Sequence, residues 1–234
     1  MKLKAVATTS PREVLWIAFL CLFIDSISYE ILVPILSNYA LSLGATNFDL
    51  ALIFAAFAIA ELLTAIPFGL FSDRYGRKHF MMGGMFLLTL SLLCYPLSKS
   101  VLMLIVCRTA QGLAASMIWS SVLALVADTY PGEDKGEKLG IANGAVGLGS
   151  IAGPVMGGVL SSINFGLPFF IVGSAAFTAF LYIFLRLQLA SRGTMWKSIS
   201  YREMFGGAIR TRNVLVVVFI NSVIAVFFGF FEPF

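Results

Sequence analysis

Four ionisable side chains stand inside long apolar stretches of this 234-residue chain: Asp25, Glu30, Glu61 and Arg108. A charge held at the middle of hydrocarbon costs at least about 2.5–3.5 kcal/mol, so each is a candidate for function. Desolvation favours the neutral form of a carboxyl. Asp25 and Glu61 have no cation at their depth in the sequence. Each could therefore hold a proton and release it when a cation, or the opposite aqueous side, is presented. The other reading is a protonated acid that hydrogen bonds a neighbouring helix, and both stay open at this point. Arg108 lies seven residues into its apolar run and Glu30 six residues short of the end of its own. Both depths are roughly 10 Å from the same surface, which predicts a Glu30–Arg108 pair. Asp25 and Tyr29 are four apart and share a helix face, whereas Glu30 points about 140° away from Asp25. Tyr29 and Gln111 are candidate polar contacts. Phe19, Phe23 and Trp119 could stack on a lipophilic cation, although ordinary packing explains each as well.

The elements that position these groups are long and apolar. The chain is 59% hydrophobic and only 12% charged, against the 45–50% apolar content usual in soluble domains. About 20 apolar residues cross a hydrocarbon core of about 30 Å. Seven such runs occur, near 14–36, 50–71, 80–97, 101–127, 139–162, 166–185 and 214–231. They lack the polar–apolar alternation of barrel strands. The first is too long and too acidic for a cleaved signal peptide. Cys21, Cys94 and Cys107 all fall within apolar runs, with neither metal spacing nor a disulfide framework. The expected fold is an all-α membrane protein: a six-helix bundle over 1–186, a linker over 187–213, and a further spanning helix over 214–234 that opens an incomplete second bundle.

The sixteen Lys and Arg residues are distributed by side. Three precede the first run, three follow the second, two follow the fourth and six lie between Arg186 and Arg212. That is fourteen against Lys99 alone on the other side, with Arg108 inside a helix. Such asymmetry places the N-terminus in the cytoplasm and makes the chain a multi-pass protein of the cell membrane. It also accounts for the net charge of +4 without nucleic acid. In the linker, Tyr201, Met204, Phe205 and Ile209 recur at helical spacing among cations, as in a helix lying on membrane lipid; a solvated loop fits equally. Glu232 beside Pro233 faintly repeats Glu30 near Pro34. Phosphate loops, zinc spacings and Ser-His-Asp arrangements are missing from the sequence, so no enzyme, catalytic residue, metal or organic cofactor is expected.

One cluster interrupts the apolar pattern. GLFSDRYGRKH, residues 69–79, packs an acid, three permanent cations and a histidine between the second and third runs. Gly76 permits a tight turn there, and Asp73 can cap a helix or pair with Arg77, for which Asp128 is a second partner. The fifth run carries Gly144, Gly149, Gly153, Gly157 and Gly158 with Pro154. Glycines four apart make a flat strip that lets another helix approach closely, and Pro154 permits a bend.

These motifs resemble those of the major facilitator superfamily, in its drug–proton antiporter branch. Gly69, Asp73, Arg74, Gly76, Arg77 and Lys78 match the G-x-x-x-D-R-x-G-R-[KR] signature. RTAQG, from Arg108 to Gly112, matches the fourth-helix R-x-x-Q-G pattern. GSIAGPVMGG, from Gly149 to Gly158, matches the antiporter pattern of the fifth helix, and DSISYEILVP is similar to the first helix of multidrug and vesicular amine transporters. The resemblance implies alternating access between two bundles, driven by a proton gradient, with export of a small, cationic substrate. It implies that Gly69, Asp73, Arg74, Gly76, Arg77, Lys78 and Asp128 form a conformational latch, and that the glycine strip seals or slides between halves; a topology anchor is the other reading of the cluster and close packing that of the strip. It also implies twelve or more helices, so the missing half, or a second copy of this chain, becomes an expected partner. A chain inactive alone and a membrane interaction protein without transport are the two other readings.

Overall fold

The computed structural model describes residues 9–188. The expected surface helix, the seventh run and Glu232 lie outside the described residues. Seven α-helices follow in order: α1 (Pro11–Glu30), α2 (Val33–Ser42), α3 (Asn47–Tyr75), α4 (Arg77–Cys94), α5 (Val101–Thr129), α6 (Asp134–Ile163) and α7 (Leu167–Arg186). Five of them are long and apolar enough to cross a membrane, and α1 with α2 makes a sixth span bent by 40°. The described residues thus supply five spans, or six with the bent pair, of a multi-pass membrane protein.

The first span departs from the expected 14–36 run in two ways: it breaks at Ile31 and Leu32, and it continues to Ser42. Pro34 lacks the N–H that would bond back to Glu30, and its ring crowds that carbonyl. The residue before a proline also avoids helical geometry. The chain therefore starts a new helix with Pro34 in its first turn. Pro67 and Pro154, by contrast, sit inside unbroken helices.

Local signals set the other boundaries. Ser10 accepts a hydrogen bond from the Glu13 N–H ahead of Pro11. Thr46 and Asp49 form a reciprocal capping box at the start of α3. Ser100 caps α5 through the Met103 N–H. Gly76 ends α3 and starts α4 with φ of 98°, a backbone region that side-chain-bearing residues rarely adopt.

In the packing, α5 lies against α3, α4 and α1, while α1 also lies against α6 and α7. Half of the most apolar window of α5 is buried, against 11% for α3 and 17% for α6. The outward faces of those two helices carry large apolar residues such as Leu62, Leu63, Ile151 and Val159, as lipid or another helical bundle requires. Close approach rests on glycine. A Cβ on Gly112 of α5 would run into the Phe57 carbonyl oxygen of α3. Cβ atoms on Gly149, Gly153 and Gly157 of α6 would meet Ser26, Glu30 and Ile31 of α1.

Candidate functional site

The α1 side chains divide between two neighbours. Ser26 donates to the Val146 carbonyl of α6 at 3.0 Å, and Glu30 lies against Gly153 of the same helix. Asp25 and Ser28 turn instead toward α5. The Asp25 side chain is 6% exposed, and its Oδ2 accepts the indole N–H of Trp119 at 2.8 Å. The Ser28 hydroxyl donates to the Asp25 carbonyl at 2.7 Å. Three residues further along, the Ser28 carbonyl accepts from Gln111 Nε2 at 3.0 Å.

Gln111 is a hub. It is fully buried, and its Oε1 accepts from the Tyr95 hydroxyl at 2.9 Å and from Arg108 Nη1 at 3.2 Å. Arg108 is also fully buried, with its guanidinium 5.0–5.6 Å from the rings of Phe54, Tyr29 and Phe57. This is cation–π distance. Its Nε and Nη2 have no hydrogen-bond partner among the described residues. The expected Glu30–Arg108 pair requires correction, since no ion pair of the described residues joins them. Two causes are visible. The span extends past Leu36 to Ser42, so counting from Leu36 misplaced the depth of Glu30. Moreover, Glu30 faces α6 while Arg108 faces α3 and α1, and equal depth does not bring groups on different faces together.

Glu61, on α3, lines a cavity of about 570 Å³ with Ser116, Trp119 and Ser120 of α5 and Lys135 and Asn143 of α6. That volume is within the usual range for small-molecule sites, about 300–1,000 Å³. Asp25 is not part of its lining; Trp119 lies between. The Ser116 hydroxyl, in a residue 2% exposed, has no hydrogen-bond partner among the described residues. Tyr29 belongs to the aromatic group around Arg108, its ring 5.0 Å from that of Phe57.

The charge cluster forms a compact array at the end of the bundle that carries Gly76. Arg77 reaches Asp73 Oδ1 through Nη2 at 2.5 Å, Asp128 Oδ2 through Nε at 2.8 Å and the Ser72 hydroxyl through Nη1 at 3.4 Å. Lys78 donates to the Phe184 carbonyl at 2.8 Å, tying α4 to the last turn of α7. Arg74 lies over the Tyr75 ring, and Gly69 packs near Ser120. On α6, Gly149, Gly153 and Gly157 face α1, Gly158 faces open space and Pro154 is half-buried.

Sequence reasoning missed Trp119 as the partner of Asp25, and Ser28 and Tyr95 as partners of Gln111. Tyr95 sits in a 3-10 turn after α4, where no helical periodicity points to a partner. Trp119 lies eleven residues beyond Arg108 on α5, about three turns, so its face was computable but its partner was not.

The chain is similar to known proteins in sequence and in fold. The family model described as Major Facilitator Superfamily matches residues 18–234. An MFS-type transporter of Methanocaldococcus jannaschii is 32% identical over 75% of this chain and 45% of its own length. The quinolone resistance protein NorA of Staphylococcus aureus is 26% identical over 71% of this chain and 43% of its own. The crystal structure of a bacterial homolog to the human lysosomal transporter Spinster, inward-facing and unoccupied, superposes with a TM-score of 0.70 at 18% identity. It covers 79% of this chain and 44% of that one. The chain thus spans less than half the length of the relatives it matches. By its family model, its relatives and its fold, the chain belongs to the Major Facilitator Superfamily.

Proposed function

We propose that this chain supplies the first bundle of a proton-coupled antiporter that exports small organic cations, drugs among them, by alternating access. The observation that carries the reading is the buried Asp25 carboxyl held beside a 570 Å³ cavity that contains a second acid, Glu61. Asp25 has no ion pair among the described residues, and an acid so placed suits a positively charged cargo and a returning proton. Asp25 and Glu61 are the proton- and cation-handling groups, with the Gln111 hub and the Arg108–Tyr29 stack holding α1, α3 and α5 in register. The Asp73–Arg77–Asp128 array is the latch that one conformation keeps and the other breaks. The asymmetry of basic residues supports a cytoplasmic N-terminus in the cell membrane. A relative named for quinolone resistance favours drug-like cargo. No organic cofactor enters this scheme, since the proton gradient is the energy source.

A second reading rests on the length of chain matched in the relatives, 43–45%. If the chain acts at its present length, the other half of a two-sided site must come from another chain or a second copy. Efflux of a fluorescent lipophilic cation from proteoliposomes separates the readings. Efflux should follow an imposed pH gradient when a second bundle is supplied. Gradient-driven efflux by the chain alone at a concentration where it is monomeric excludes the need for a partner. A completed protein that ignores the gradient overturns the proton coupling.

A further inference from the structure

The route from the cavity to Asp25 passes one side chain. Trp119 lines the cavity while Asp25 does not, and the Trp119 indole N–H is bonded to Asp25 Oδ2 at 2.8 Å. An indole has a single polar hydrogen and no acceptor, so this bond occupies its entire polar capacity. Its ring is left for the cavity, where an aromatic face attracts an organic cation. Ser116 is three residues earlier and shares that helix face. Ser116 also lines the cavity, while its hydroxyl is buried behind that wall without a hydrogen-bond partner among the described residues. Along α5 the lining runs from Ser116 to Ala127, about 16 Å at 1.5 Å per residue. Exposed Lys135 lies at its shallow end and Glu61 approaches from α3.

We propose that Trp119 is the positioning residue that joins the cavity to Asp25. Its indole covers and holds the carboxyl until an organic cation, entering past Lys135 and Asn143, displaces the indole and takes the carboxyl in its place. The cation exchanges a ring-face contact at the cavity wall for a close ion pair with the Asp25 carboxylate, whose Coulomb attraction is strong in the low-dielectric interior. Cavity occupancy and access to the buried acid are then one event, so this inference rests on the cation-transport reading.

The test uses the 234-residue chain in phospholipid nanodiscs, with Trp16→Phe and Trp196→Phe leaving Trp119 as the sole tryptophan, and tetraphenylphosphonium as the probe. Trp16 is 65% exposed, so its replacement leaves the packing intact. The expected result is saturable binding accompanied by a saturable blue shift of Trp119 emission, as the indole loses its carboxyl acceptor. In Asp25→Ala the emission starts at the shifted position and the probe moves it no further. Trp119→Phe, which keeps a ring but removes the N–H, binds the probe at least as tightly, because no bond has to be broken first. Binding without any emission change, or an Asp25→Ala chain that shifts like its parent, overturns the role of Trp119 while leaving cation binding in place. No saturable binding overturns a cation site within this bundle and with it the role of Trp119, while efflux with a second bundle supplied still decides the transport reading.

Discussion

Replacing Gln111 with leucine should unfasten three helices at once. The amide satisfies the Tyr95 hydroxyl, one Arg108 N–H and the Ser28 carbonyl, all in residues no more than 1% exposed. Leucine is close in volume, so cavity formation is minor and the cost is electrostatic. Hydrogen bonds between membrane helices average about 0.6 kcal/mol, which sets a floor of about 2 kcal/mol for three bonds. Each buried group left unsatisfied costs about 1–3 kcal/mol, and more when charged. Arg108 already has two N–H groups without partners among the described residues, so it has little capacity to find a substitute. The expected loss is about 3–5 kcal/mol, between these bounds. It is read as the midpoint of reversible unfolding in mixed micelles, with Gln111→Glu beside it. Glutamate keeps the acceptor for Arg108 and Tyr95 but loses the donation to Ser28, so it should recover more than half of the loss. A Gln111→Leu chain within 1 kcal/mol of its parent, on the same scale of bond strengths, would refute the hub.

Other perturbations follow from the same packing. Gly112→Ala places a methyl against the Phe57 carbonyl, a backbone atom that cannot step aside; thermal unfolding should show a loss of about 1–3 kcal/mol. Gly153→Val should do the same to the α1–α6 contact, where its Cβ meets Glu30, whereas Gly144→Ala, with nothing within 4 Å, should be neutral or stabilising by about 0.5–1 kcal/mol. Arg77→Ala leaves Asp73 and Asp128 side by side, but their side chains are 43% and 35% exposed. Solvent screening therefore keeps the stability loss near 1 kcal/mol or less. The effect should instead appear as a tenfold or larger fall in transport by a completed protein, and retained transport speaks against the latch.

Much of this architecture was legible in the residues. Long apolar runs and helix-stop signals such as Gly76 gave the spans because a bilayer admits few alternatives. The motif glycines marked close approach, although which helix approaches was a matter of azimuth that spacing on one helix leaves open. The first span shows what was not legible. Its apolar character runs smoothly through Pro34, so the break at Ile31 and the continuation to Ser42 do not appear as a change in composition. That error propagated into the depth of Glu30 and hence into its expected pairing with Arg108. The bond between Asp25 and Trp119 joins residues 94 apart in sequence, and only the packing of α1 on α5 brings them together.

The central claim is that the buried Asp25 carboxyl gives up a proton when a cation binds. Proton release into lightly buffered solution, measured as tetraphenylphosphonium is added to the completed protein, tests it most directly. The account predicts release that saturates with binding in the parent and is abolished in Asp25→Asn, whose cation binding is weakened as well. Equal release from both proteins, or binding by the parent with no release at all, would contradict it.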